Sequence, residues 1–486
     1  MYDLVIRNGK VLDGTGAEAF RADVAIKDGK IVCVGLVEGT ADTVIDATGL
    51  TVTPGFIDSH SHSDSAFLSY PEQKEKLEQG ITFSITGQCG GSAAPKKDRK
   101  VSEFLELVGP QGSGAALLVG HGTLRYAVMG NQNRKATEEE MEQMKSLLRE
   151  SLEAGAIGMS LGLIYIPGCY SDTEEVLALA KVVAEYDGVL ASHIRNENDG
   201  VIEAVEEYLH VIRQSGCRAV FSHHKTAGPK NHGKVHTTLA MIDQANAEGA
   251  DIYLDVYPYI ASHTSLSTRY FPKRFHPEGE VNVCKCLSDP QIRGKIKEQL
   301  NEPYPIMIAS CKNTKQYEGM YLEDIAKLLG KDICDTAFDL ILENENSIGA
   351  CYFTMSEEDV KTVISHPRAM ICTDSGVAMG KTKYHPRLRA SFPRALSRYP
   401  EVPMPEMIRK MTSLPASVYK LSAKGRIAEG YDADICILDT ETLCDNADYV
   451  NCSAPNSGLA YVLIDGKIAV KDNQSTGVLA AVVQKR

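Results

Sequence analysis

The chain has 486 residues, with 51 Lys and Arg against 64 Asp and Glu for a formal net charge of -13, and hydrophobic and charged fractions of 43% and 24%. This length allows one large domain and a smaller one, and the composition is that of an ordinary soluble globular protein. The acidic balance excludes a nucleic-acid partner, no apolar run reaches the roughly 18–20 residues of a membrane span, and the opening MYDLVIRNGKVLDG lacks a secretory pattern, which predicts a cytoplasmic protein.

Taken in chain order, the first fifty residues are strand-like. LVIRNGKVLDG, DVAIKDGKIVCVG and DTVIDATGLTVTPG pair β-rich runs with Asn/Asp-Gly turn signals. The C-terminal end repeats this texture in AEGYDADICILD and LAYVLIDGKIAVKD. These ends predict one small β-sandwich domain built from residues 1–54 and 416–486. Between them, over residues 55–415, apolar strand candidates alternate with amphipathic helical stretches. GAALLVGH precedes EEEMEQMKSLLRESLEAG, AIGMSLG precedes EEVLALAKVVAEY, GVLASHIRN precedes GVIEAVEEYLHVIRQSG, and RAVFSHH precedes TTLAMIDQANAEG. Repeated β-α units predict an α/β fold with a closed (β/α)8 barrel. The stretch from about 270 to 353 breaks the rhythm and reads as an insertion. A doubly wound open sheet is the alternative, and the Gly-rich fingerprint that would favour it is absent.

In a barrel the reactive groups sit at the C-terminal ends of the strands. TPGFIDSHSH ends a strand with His60 and His62, whose spacing of two puts both imidazoles on one face where they can share a metal. Alone, such a pair is as readily a core or surface feature. FSITGQCGG puts Cys89 at the next strand end among glycines that permit close backbone approach, against the usual fate of a cysteine as a buried thiol. GVLASHIRNE brings His193, and RAVFSHHK brings His223 and His224. By alternation Phe221, His223 and Lys225 share one face, so His223 reaches the site if Lys225 does. Histidines at successive strand ends, together with the cysteine, point to metal binding. AMICTDSG places Asp374 where a carboxylate binds metal weakly, acts as a base, or caps a turn.

These motifs, with HGTLR, AIGMSLGLIYIPG, DVYPY, HPRLRASFPR and KGRIAEGYDADICILD, give a chain that resembles the amidohydrolase superfamily nearly end to end, and within it the D-aminoacylase branch. Cyclic amidases of the superfamily bridge their metals with a carboxylated lysine. Here no lysine lies between Lys145 and Lys181, and Cys89 matches the cysteine that D-aminoacylases use instead. The resemblance implies zinc-dependent hydrolysis of N-acyl-D-amino acids to a carboxylate and a free D-amino acid. It implies one tight zinc on Cys89, His193 and His223, a second weaker site on His60 and His62 bridged by Cys89, and Asp374 as general base and then acid. Lys225, Tyr257 and Arg387 match carboxylate-binding positions, although by themselves the cations read as solvated and the tyrosine as core. Arg269 matches a position that reads an acidic side chain; if it faces solvent, an apolar D-amino acid fits as well. His121 receives no role. Another amidohydrolase chemistry and a barrel scaffold without metal are the competing readings. The absence of Trp, TDSG in place of SDG, and the altered TGQCGGSAAP depart from the family on the substrate side.

Overall fold

The computed structural model describes residues 1–300, 304–380 and 383–485. Eight short strands form one parallel sheet in sequence order: Phe56–Asp58, Ile81–Thr86, Gly114–Gly120, Gly158–Gly162, Val189–His193, Arg218–Phe221, Ile252–Val256 and Ala369–Ile371. Nearly every residue in these strands is buried, the mark of a parallel sheet covered on both faces. The first and last strands meet just beyond their ends. A parallel bridge joins Ser61 to Ser375, His62 N donates to Ser375 O at 3.2 Å, and Asp374 N donates to His60 O at 2.9 Å. The sheet thus closes into a barrel at the residues that matter chemically.

The intervening helices follow their sequence signals. Glu138–Glu153 starts at Thr137, whose side chain accepts from Glu140 N while the Glu140 carboxylate accepts from Thr137 N, a reciprocal cap. It buries Met144, Leu148 and Leu152 at helical spacing and ends at Gly155, whose φ of 114° suits glycine. One further helix, His121–Met129, follows the third strand directly and lies ahead of the helix expected there.

Ile57, Phe83, Ile85, Ala116, Leu118, Ala191, Val220 and Met370 make a core sealed by Leu414, Ala416, Val418 and Tyr419. The short helix Ser413–Val418 therefore serves the barrel, although the expected domain boundary at 416 would cut it. Strands from both termini join into one continuous nine-stranded sheet, with Thr51–Pro54 pairing antiparallel to Ile435–Leu438. The excursion between the last two barrel strands begins at Ala261, earlier than the sequence pattern predicted. There Ala261–Ser265, Ile306–Cys311 and Ile348–Phe353 form a three-stranded antiparallel sheet. Its first strand, ASHTS, is half-exposed and polar, so it lacks the apolar alternation by which strands are read. Among the described residues no helix is long and apolar enough to cross a membrane.

Candidate active site

A cavity of about 890 Å³ opens at the C-terminal ends of the barrel strands, lined among others by His62, Cys89, His193, His223, Lys225 and Asp374. At its floor Cys89 is the hub. Its Sγ lies 3.3 Å from His60 Nε2, 3.7 Å from His193 Nδ1 and 3.3 Å from His223 Nε2. Two donor groups share it: Cys89 with His193 and His223, and Cys89 with His60, His62 and Asp374. Asp374 Oδ1 lies 3.4 Å from His60 Nε2 and 3.2 Å from His62 Nε2.

The separations test whether a metal fits. Ligands at ~2.0–2.3 Å from a tetrahedral ion sit roughly 3.5 Å from one another, which is the spacing found around Cys89. Charge agrees with geometry. Removal from water would push the Cys89 thiol up, but His60 and His223 beside it hold it well below the usual thiol range. Burial likewise raises Asp374, yet Arg387, His223 and the neighbouring imidazoles keep its carboxyl well below the usual carboxylate range. A thiolate, a carboxylate and converging imidazole nitrogens form a pocket for a cation.

An outer layer of acids holds these ligands. Glu197 Oε1 lies 3.2 Å from His223 Nδ1 and accepts from Lys225 Nζ at 2.6 Å, and its Oε2 lies 3.5 Å from His193 Nε2. Asp255 Oδ1 accepts from His223 N at 2.6 Å and lies 3.4 Å from His60 Nδ1. Fully buried Asp58 accepts from Thr373 N at 2.8 Å, Thr373 Oγ1 at 2.6 Å and Lys76 Nζ at 2.7 Å. Lys76 also donates to Ser375 O at 2.9 Å, so both neighbours of Asp374 are fastened. Sequence reasoning singled out none of Glu197, Asp255, Asp58 or Lys76. Glu197 stands four residues after His193, and Asp255 opens the DVYPY motif from which only Tyr257 was taken.

The remaining expected residues divide. Arg387 is buried and ion-paired with Asp374 Oδ2 at 2.8 Å, with its guanidinium 4.5 Å over the Tyr257 ring. Lys225 lies 5.8 Å over the same ring. These three therefore meet beside the donor cluster. Arg269 does not join them: its guanidinium stacks 4.1 Å over the ring of Tyr304 in the excursion, and it is not among the residues lining the cavity. His224 turns away and bonds Thr238 Oγ1 at 2.9 Å. The expected shared face of Phe221 and His223 is not formed, because Phe221 packs on His224 and Tyr208 outside the barrel. His223 has a φ of 38°, and this left-handed residue breaks the alternation. His121 is buried beneath the cavity wall, 2.8 Å from Glu175, which Arg125 also grips.

A parallel barrel with a Cys-His donor floor at its C-terminal end defines a metal-dependent hydrolase of the amidohydrolase kind. The amidohydrolase family profile matches residues 43–284 and 314–470. An N-acyl-D-glutamate deacylase of Alcaligenes xylosoxydans xylosoxydans is 36% identical over 488 residues, spanning 96% of this chain and 93% of that protein. A D-aminoacylase of the same organism is 31% identical over 510 residues, spanning 100% of this chain and 98% of the other. The solved structure of N-acyl-D-glutamate deacylase from Bordetella bronchiseptica, complexed with zinc and a phosphonate mimic of the tetrahedral intermediate, has a TM-score of 0.88 and 34% identity, with all of both chains covered. The chain belongs to the amidohydrolase family, in its D-aminoacylase branch.

Proposed function

We propose that this protein hydrolyses the amide bond of N-acyl-D-amino acids, with zinc held tightly by Cys89, His193 and His223 and a weaker position at His60 and His62 that shares Cys89. The observation that carries the reading is the placement of Cys89 Sγ among the three imidazoles of His60, His193 and His223 in a chain similar throughout to deacylases of this branch. The strand Gly158–Gly162 contains no lysine, which argues against a cyclic amidase of the carboxylated-lysine type. When bound, the metal supplies Lewis-acid polarisation of the acyl carbonyl and makes water a better nucleophile at neutral pH.

The protein's own groups do the rest. Asp374, ionised at neutral pH by its cationic neighbours, takes the proton of the attacking water and returns it to the departing amine. Lys225, Arg387 and Tyr257 form the cationic and aromatic corner against which the substrate carboxylate docks, and Arg387 offers it a bidentate fork. In the structure Arg387 pairs with Asp374, so an incoming carboxylate competes for that guanidinium while Asp374 turns to its water. Among the described residues none of the cysteines is in a disulfide, which supports a reducing cytoplasm as the setting.

The test is amine release from matched D and L N-acyl amino acids, with metal content measured alongside. Stereospecific release for the D series, lost with chelator, is expected. Cys89→Ser removes the shared thiolate and should lower metal content at both positions. Equal rates for D and L substrates, or full activity in a metal-free Cys89→Ser variant, would refute the assignment. The same panel settles the side chain. Arg269 lies against Tyr304, so Arg269→Ala should leave the ratio of acidic to apolar substrates unchanged.

A further inference from the structure

We propose that Glu197 is a positioning residue that sets opposite tautomers on the two histidines of the tight metal position, and thereby sets metal affinity. The proposal rests on the metal reading above. The two histidines turn different nitrogens to Cys89: His193 presents Nδ1 and His223 presents Nε2. A neutral imidazole ligates only through its unprotonated nitrogen, so His193 must carry its proton on Nε2 and His223 on Nδ1. Nothing in the rings themselves enforces such a split.

One carboxylate faces both nitrogens that must be protonated. Glu197 Oε2 lies 3.5 Å from His193 Nε2, and Oε1 lies 3.2 Å from His223 Nδ1. His193 Nε2 is fully buried with no hydrogen-bond partner, which leaves the Glu197 oxygen as the acceptor a small approach would engage. At His223 there is a competitor. Lys225 Nζ lies 2.7 Å from Nδ1 and, as an ammonium, can only donate. Were Lys225 to donate to Nδ1, the ring proton would move to Nε2 and His223 could not bind metal. Lys225 has other acceptors: Glu197 Oε1 at 2.6 Å and His223 O at 2.9 Å. Glu197 Oε1 thus accepts from the lysine and is the acceptor that faces Nδ1, while its other oxygen addresses His193. Removing a carboxylate behind a ligating histidine typically weakens metal binding about 10–100-fold.

Glu197→Gln keeps the shape but cannot accept at both ends. We expect its zinc affinity, measured by chelator competition on protein shown to be folded by circular dichroism, to fall about 10–100-fold. Nitrogen-15 histidine spectra of the wild-type protein should show Nε2–H on His193 and Nδ1–H on His223, and mixed tautomers in Glu197→Gln. Zinc affinity within twofold of wild type, or unchanged tautomers in the folded variant, would overturn the proposal while leaving the metal reading intact. If the variant does not fold, the wild-type spectra decide alone, and the reverse tautomer at either histidine overturns it. A wild-type protein that takes up no zinc would overturn the metal reading and this proposal with it.

Discussion

Lys76→Met tests whether the buried Asp58–Lys76 pair is what closes the barrel under the active site. Both side chains are wholly inaccessible to solvent, and their charged atoms are 2.7 Å apart. At an effective dielectric of ~20 the gross attraction over such a distance is roughly 6 kcal/mol. Much of that offsets the desolvation of both ions, so the useful quantity is the cost of leaving one ion alone. Methionine retains most of the aliphatic stem, so little packing is lost. The ammonium's bonds to Asp58, Thr373 Oγ1 and Ser375 O disappear, while Asp58 keeps the two donors of Thr373 and His60 N at 3.3 Å. Breaking a buried pair from one side costs about 3–5 kcal/mol, and the surviving donors place this case at the lower end. The chain has no tryptophan, so urea unfolding followed by far-ultraviolet circular dichroism is the suitable assay. Asp58→Asn and the double variant complete a cycle, and the double variant should recover part of the loss. A loss below ~1 kcal/mol in Lys76→Met, or strictly additive single variants, would refute the reasoning. Turnover should fall as well, because Lys76 and Asp58 hold the residues on both sides of Asp374.

Asp374→Asn should lower kcat about 10²–10⁴-fold while metal analysis still finds an ion on Cys89, His193 and His223; near-normal turnover would remove Asp374 from proton transfer. Acid should destabilise the fold through His224, which burial, Lys225 and His366 hold down to about 3 from an ordinary 6.5. Below pH 6.5 the unfolded chain takes a proton that the folded chain refuses, so stability falls with pH, by roughly 2 kcal/mol between pH 6.5 and pH 5. His224→Gln should flatten that part of the stability profile, and an unchanged slope would show that another group is responsible.

The sequence made the barrel legible because its strands are short apolar runs at regular spacing and each ends in a polar cluster. The donor residues were legible for the same reason: His60, His62, Cys89, His193 and Asp374 stand where apolar runs stop. Glu197 and Asp255 were not, because a carboxylate that faces a histidine edge is indistinguishable in sequence from one that faces water. Arg269 shows the opposite failure. It lies near a recognisable motif, but the excursion begins earlier than its apolar pattern suggests, and the guanidinium rests on Tyr304 of that same excursion. Lys76 was silent for a related reason: a lysine in KEKL reads as a solvated helix residue until the last barrel strand is laid beside it.

Backbone conformation explains why periodicity locates this site and yet misassigns its faces. Cys89, His223 and Asp374 each have left-handed φ values, of 53°, 38° and 45°, at the ends of three different strands. A side chain other than glycine in that region costs of order 1–3 kcal/mol unless its surroundings over-determine it. Here they do. Cys89 is followed by Gly90, whose N donates to Ser160 Oγ at 3.0 Å; His223 N is held by Asp255; Asp374 N is held by His60 O. The backbone at or next to each strained residue is therefore held by a group from another part of the barrel, so no one of the three can relax without disturbing a neighbour. Once the chain leaves the strand through a left-handed residue, period-two alternation no longer governs where the next side chain points. Phe221 faces the outer helices, while His223, two residues on, faces the metal donors. The conformation that defeats the sequence pattern is the one that turns a thiolate, an imidazole and a carboxylate from three strands toward one point.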